Sequence, residues 1–226
     1  MSSLLPAAAA AAAATPLAAG WSAHAVLLRR RLAAAGRDPL TGLLRRDGFQ
    51  KRAARMLRKH ASVGVLVIDL DGFKRLNDEF GHAAGDIALA TTGRRLVDHV
   101  AAHGIAARLG GDEFAAVLSL PTDGPGLPFH VAELHSAICS PLPIDGHVVP
   151  LGVGASIGAA YSSRHPGAGL SGLLRRADEA MYAVKRSGGG WLIAHAADPT
   201  HPTVNGRRSG RPGTHASCDD SVGGAR

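Results

Sequence analysis

The chain has 226 residues, 46% of them hydrophobic, enough for one ordinary domain with a substantial core plus extensions. Its two cysteines, Cys139 and Cys218, show no paired spacing, which argues against a disulfide framework and fits a reducing compartment. The net charge of +7 gathers between Arg29 and Lys59 without interleaved aromatics, a pattern for an inner-leaflet contact or a solvated helix face rather than a nucleic-acid partner.

In chain order, Ser3 to Leu28 carries no Asp, Glu, Lys or Arg, and Arg29-Arg30-Arg31 follows at once. An apolar run of this length can span a bilayer, with the arginines holding the downstream domain in the cytoplasm. Weakly apolar alanines, with Pro6 and Pro16 interrupting, fit equally a low-complexity leader or a signalling helix. The positive cluster follows the apolar run rather than preceding it, unlike a signal peptide.

Asp47-Gly48-Phe49-Gln50 resembles a capping box and predicts a helix to about His60. A buried strand is expected over Ser62 to Leu70, a short helix over Phe73 to Phe80 and a longer one over Ile87 to Val100. Gly104 to Leu109 and Phe114 to Leu118 alternate like strands. After a Pro/Gly loop at Pro121 to Pro128, Phe129 to Cys139 reads as a helix. Ile144-Asp145-Gly146-His147-Val148 carries a hairpin signal, and Leu151 to Tyr161 alternates as a strand. Leu170 to Lys185 is an amphipathic helix with Leu170, Leu173, Leu174, Ala177, Met181 and Val184 on one stripe. The order αβααββαβα predicts an α+β sandwich, helices packed on a mainly antiparallel sheet. Beyond Ala197 the composition is that of a disordered tail. The expected division is a leader over 1–37, a domain over 38–195 and a tail over 196–226.

Chemistry concentrates at Gly110-Gly111-Asp112-Glu113. A glycine pair between strands supports a tight hairpin, because both residues accept positive φ cheaply. Asp112 and Glu113 then lie side by side next to bare backbone, an arrangement that suits a hard cation carrying a phosphate ester. The run Val65-Leu66-Val67-Ile68 ends in Asp69-Leu70-Asp71, a second carboxylate source at a strand exit. Together these make a palm-like pattern for metal-assisted phosphoryl transfer.

Gly110 to Phe114 resembles the signature of the GGDEF family, the diguanylate cyclases. Further motifs agree in order: Asp38-Pro39-Leu40-Thr41-Gly42-Leu43, Asp69-Leu70-Asp71-Gly72-Phe73-Lys74, Asn77-Asp78, Phe80-Gly81-His82 through Gly85-Asp86, Ser156-Ile157-Gly158, and Ala177 to Tyr182 with Lys185. The resemblance covers roughly Asp38 to Trp191. It implies a GGDEF fold that joins two GTP molecules into cyclic di-GMP with release of two pyrophosphates, in a homodimer, using Mg²⁺ or Mn²⁺. It implies metal binding by Asp69, Asp112, Glu113 and the Leu70 carbonyl, with Asp112 and Glu113 as catalytic residues. Phosphates fall to the backbone of Gly72, Phe73 and Lys74, beside Gly110 and Gly111, with Lys74 and Lys185 as charge partners. Asn77 and Asp86 match the positions that hold guanine, and an Asp accepts two N–H bonds from an edge that adenine lacks. Nucleic acid is not an expected partner, and membrane contact is expected through residues 4–31 if the leader is a helix.

Three positions depart from the pattern. Gly188-Gly189-Gly190 stands where an arginine is usual, which favours a degenerate GTP-binding signalling module as the alternative to an active cyclase. Arg45 replaces a common asparagine. Ala101-Ala102-His103-Gly104 lacks the Arg-x-x-Asp element of the family's product-inhibition site.

Overall fold

A computed structural model describes residues 36–120, 126–144, 147–149 and 153–195, with short strand segments at 203–204 and 207–208. The expected leader and tail lie almost wholly outside these residues. Among the described residues no helix is long and apolar enough to cross a membrane.

The elements are α1 (Arg46–Lys59), β1 (Val63–Asp71), α2 (Phe73–Val100), β2 (Gly104–Gly110), β3 (Glu113–Ser119), α3 (Leu127–Ile138), β4 (Leu142–Ile144), β5 (His147–Val149), β6 (Gly154–Tyr161), α4 (Leu170–Arg186) and β7 (Gly190–Ile193). Five strands form one sheet in the order β2-β3-β1-β6-β7. All pairings are antiparallel except β6 with β7, so the expected α+β sandwich with a mainly antiparallel sheet is the observed fold.

Strand β1 lies at the centre and is buried on both faces. Leu66, Ile68 and Leu70 pack with α2 and α3 through Leu76, Leu96, Val131 and Leu134. Val63, Val65 and Val67 pack with α1 and α4 through Phe49, Ala53, Leu173 and Met181. Period-two alternation thus sends odd-numbered β1 residues to the α1/α4 layer. Gly158 of β6 lets α4 come close: a Cβ there would stand 1.9 Å from the Ala177 carbonyl oxygen and 2.2 Å from the Met181 nitrogen.

Several boundaries differ from expectation. Helix α1 begins at Arg46, and Arg45 at its N-cap makes no side-chain capping bond. Asp47 is therefore inside the first turn, where it complements the helix dipole instead of closing a capping box. The two helices expected at Phe73 to Phe80 and Ile87 to Val100 are both present within α2, separated at Gly81, whose backbone is not helical (φ 81°, ψ 166°), and the second starts directly after Gly81 rather than at Ile87. Helix α3 starts two residues early because Pro128 is accommodated in its first turn. The strand expected from Leu151 is described from Gly154. Strand β7 was not anticipated, since a glycine run before four residues carries no strand signal of its own.

The close approach at Gly158 yields a prediction. Gly158→Ala should destabilise the protein by about 3 kcal/mol, the upper end of overpacking costs, because the obstructing atoms are helix backbone. Urea unfolding measures it, and an unchanged midpoint would refute the packing assignment.

Candidate active site

The ends of β1, β3 and β6, the start of α2 and the end of α4 meet at one edge of the sheet. Asp69 is opposite Glu113 of β3 on one side and Ser156 of β6 on the other. By alternation Asp69 faces the α1/α4 layer, and there the Lys185 ammonium pairs with Asp69 Oδ1. Asp69 is only 5% exposed, so a partnered carboxylate is what burial demands.

The hairpin closes differently from the simple glycine-pair turn. Gly110 pairs with Glu113 and the register shifts between Arg108 and Gly110, so Gly111 and Asp112 form the tip. Both glycines take positive φ, 149° and 53°. The Asp112 carbonyl accepts the Leu70 N–H at 3.3 Å, tying the tip to the end of β1. Burial raises the Asp112 carboxyl above the usual carboxylate range, and the neighbouring Asp69 charge adds to the effect. Asp112 thus feels the charges of Asp69 and Glu113, a repulsion between hard oxygen groups of the kind a divalent cation relieves. Among the described residues no three His, Cys, Asp or Glu side chains stand together in a group that could hold a metal ion by themselves.

Arg108 holds the hairpin from behind. Its Nε donates to the Gly111 carbonyl at 2.9 Å and its Nη1 to Asp38 Oδ1 at 3.2 Å. Asp38 also accepts the Thr41 N–H at 2.9 Å and hydroxyl at 2.8 Å. Although burial acts in the opposite direction, these bonds hold the Asp38 carboxyl below its ordinary value.

At the other side, Gly72 caps α2 in a left-handed conformation, Phe73 is half-buried and Lys74 is exposed. The first amides of α2 thus open the helix at the candidate site, where its dipole favours anions. Asn77 donates from Nδ2 to the Phe73 carbonyl at 3.2 Å, and a Cβ at Gly85 would stand 2.0 Å from its Oδ1. Asp86, next to that glycine, is exposed. The break at Gly81 thus turns the second half of α2 so that Gly85 lies against Asn77, with Asp86 next along the chain.

Sequence reasoning assigned no role to Asp71 or Ser156. The Ser156 hydroxyl donates to Asp71 Oδ1 at 2.8 Å, across from the end of β1. Burial lifts the Asp71 carboxyl above its ordinary value in spite of that bond. Two signals were present in the sequence: Asp71 shares a strand face with Asp69, and Ser156 is a lone hydroxyl in an apolar strand. Against the same carboxylate lies the turn between α4 and β7. Gly189 has φ +100°, and a Cβ there would come 2.8 Å from Asp71 Oδ2. A side chain at 189 would therefore sit on a strained backbone and require the Asp71 carboxylate to shift.

Product-site residues follow the same logic. Gly104 opens β2 with a Cβ position 2.5 Å from the Val117 carbonyl, so no aspartate fits there without a shift in the strand.

Gly189→Ala should destabilise the fold by about 1–3 kcal/mol through its positive φ and the Asp71 contact. Gly172→Ala in α4, where a Cβ meets only Ala168 at 3.5 Å, should stabilise by about 0.5–1 kcal/mol. Urea unfolding of both variants checks the pair, and the same sign for both would refute the strained turn.

Comparisons with known proteins agree with this geometry. The family model described as "Diguanylate cyclase, GGDEF domain" matches residues 35–190. An uncharacterized 19.3 kDa protein of Streptomyces ambofaciens is 45% identical over 166 residues, covering 74% of this chain and 87% of its own. Diguanylate cyclase TpbB of Pseudomonas aeruginosa is 35% identical over 72% of this chain, which spans only 38% of that longer protein. A structure comprising only the GGDEF domain of TpbB superposes with a TM-score of 0.64 at 34% identity, covering 72% of this chain and 96% of that one. The coiled coil and GGDEF domain of DgcB from Caulobacter crescentus, in complex with c-di-GMP, gives 0.71 at 26% identity, covering 81% and 98%. With the match running across nearly the whole described fold, the chain belongs to the GGDEF family of diguanylate cyclase domains.

Proposed function

We propose that the domain condenses two GTP molecules into cyclic di-GMP as a homodimer in the cytoplasm, each protomer presenting one nucleotide to the other. The observation that carries this reading is the convergence of Asp69, Asp112, Glu113 and the amide-lined start of α2 at one edge of the sheet. In each step a ribose 3′-oxygen attacks the α-phosphorus of the facing nucleotide, the bond to the β-phosphate oxygen breaks, and pyrophosphate leaves as the hydroxyl proton is lost.

Asp69, Asp112, Glu113 and the Leu70 carbonyl would hold Mg²⁺ or Mn²⁺, which when bound neutralises triphosphate charge and acidifies the attacking hydroxyl. Glu113 favours loss of the hydroxyl proton. The amides of Gly72, Phe73 and Lys74 hold phosphate oxygens, beside the bare backbone of Gly110 and Gly111. Lys74 and Lys185 supply positive charge, Lys185 exchanging Asp69 for phosphate. Asp86 accepts from guanine N1 and N2, and Asn77, fixed by Phe73 and Gly85, completes the base contact. Gly189 in place of a basic residue favours a second reading, a GTP-holding module that signals by contact without turnover. Incubation with GTP and Mg²⁺ followed by mass analysis of the product separates the two.

Two substitutions test the roles. Asp112→Ala should abolish cyclic di-GMP formation while circular dichroism stays unchanged, since the side chain is at a hairpin tip; near-normal turnover would sink the metal assignment. Asp86→Ala should weaken GTP by about 1–3 kcal/mol and leave ATP almost unaffected, because only guanine offers the paired N–H edge. Equal losses measured by calorimetric titration would make Asp86 structural.

A further inference from the structure

We propose that the outer face of α1 docks the domain on an anionic lipid bilayer. The helix buries Phe49 and Ala53 against the sheet, while Lys51, Arg52, Arg55, Arg58 and Lys59 are all exposed. At 3.6 residues per turn these five cations occupy roughly a third of the helix circumference, centred on Arg55, which is away from both Phe49 and Ala53. None of them makes a hydrogen bond or ion pair to a described residue.

This arrangement works against the helix that carries it. Lys51 and Arg55, and Arg55 and Lys59, are like charges four residues apart, a spacing that destabilises an isolated helix. A surface helix that faces only water relieves such repulsion by interleaving carboxylates. Here the one acidic residue of the helix is Asp47 in the first turn, four residues before Lys51, which leaves Arg52, Arg55, Arg58 and Lys59 with no carboxylate three or four residues away on the helix. A negative surface outside the protein supplies the missing counter-charge.

The composition of the stripe selects lipid over duplex nucleic acid. It holds only ammonium and guanidinium groups on aliphatic stems, with no aromatic for stacking and no Asn, Gln or Ser to read a base edge. Gln50, also exposed, lies about 80° outside the stripe. Upstream in the sequence, the uncharged run ending at Leu28 gives way to Arg29-Arg30-Arg31, the order of a segment that meets lipid first through apolar and then through basic residues.

The test uses the full-length protein sedimented with vesicles of phosphatidylcholine alone or with about a third phosphatidylglycerol, a content that gives an appreciable negative surface potential. Wild-type protein should prefer the anionic vesicles, and the preference should fall steeply with added salt. Joint replacement Lys51→Gln, Arg55→Gln and Arg58→Gln should weaken anionic binding about a hundredfold, at roughly fivefold per cation lost. The charge-keeping pair Arg55→Lys and Arg58→Lys should retain it, and circular dichroism of each variant checks the fold. Equal binding by wild type and the neutralised variant, or indifference to lipid charge, would overturn the proposal. Tighter binding of wild type to duplex DNA than to anionic vesicles, lost in the neutralised variant, would overturn it in favour of nucleic acid.

Discussion

A carboxylate at the end of a buried apolar strand needs a partner, and the pairing of Asp69 with Lys185 is the constraint on which the site's arrangement rests. The central strand delivers Asp69 into a nearly solvent-free position, and α4 must come close enough to bring Lys185 to it. That approach depends on Gly158, whose missing side chain lets the helix backbone settle against β6. The charge pair belongs to the site more than to the stability ledger, since a buried ion pair gains little once its desolvation is counted. Its consequence is positional: an ammonium is held beside the carboxylates at the end of the central strand.

The hairpin is held to this edge from two directions. The Asp112 carbonyl is tied to β1 through the Leu70 N–H, and the Gly111 carbonyl to the Arg108 guanidinium. Arg108 in turn reaches Asp38, which Thr41 holds from its own turn. The segment just ahead of α1 and the tip that carries Asp112 therefore belong to one hydrogen-bonded chain. Such a chain fixes the tip through hydrogen bonds rather than through side-chain packing.

Opposite the hairpin, Asp71, Ser156 and Gly189 form a second close-packed corner. The glycine run reads in the sequence as the loss of a phosphate contact. In the folded chain it is a tight turn into a parallel edge strand, with the Asp71 carboxylate filling the volume a side chain would need. A side chain at 189 would have to accept the positive φ and displace that carboxylate.

Much of this was legible in the chain before folding. Local periodicity placed β1, the two hairpins and α4, because alternation and the 3.6-residue stripe are properties of neighbouring residues. The ordered motifs around Asp69, Asp112 and Lys185 identified the family and named the residues that meet at the edge of the sheet. Boundaries were less legible where local signals compete: Asp47 looks like a cap but lies inside its helix, and the helix expected from Ile87 starts directly after the break at Gly81. Strand β7 had no signal, since four residues gain strand geometry only from pairing with β6. Nor could spacing alone bring Lys185 to Asp69, Arg108 to Asp38 or Ser156 to Asp71. Those contacts join residues far apart in sequence, and they exist only because sheet register and helix packing set the distances between them.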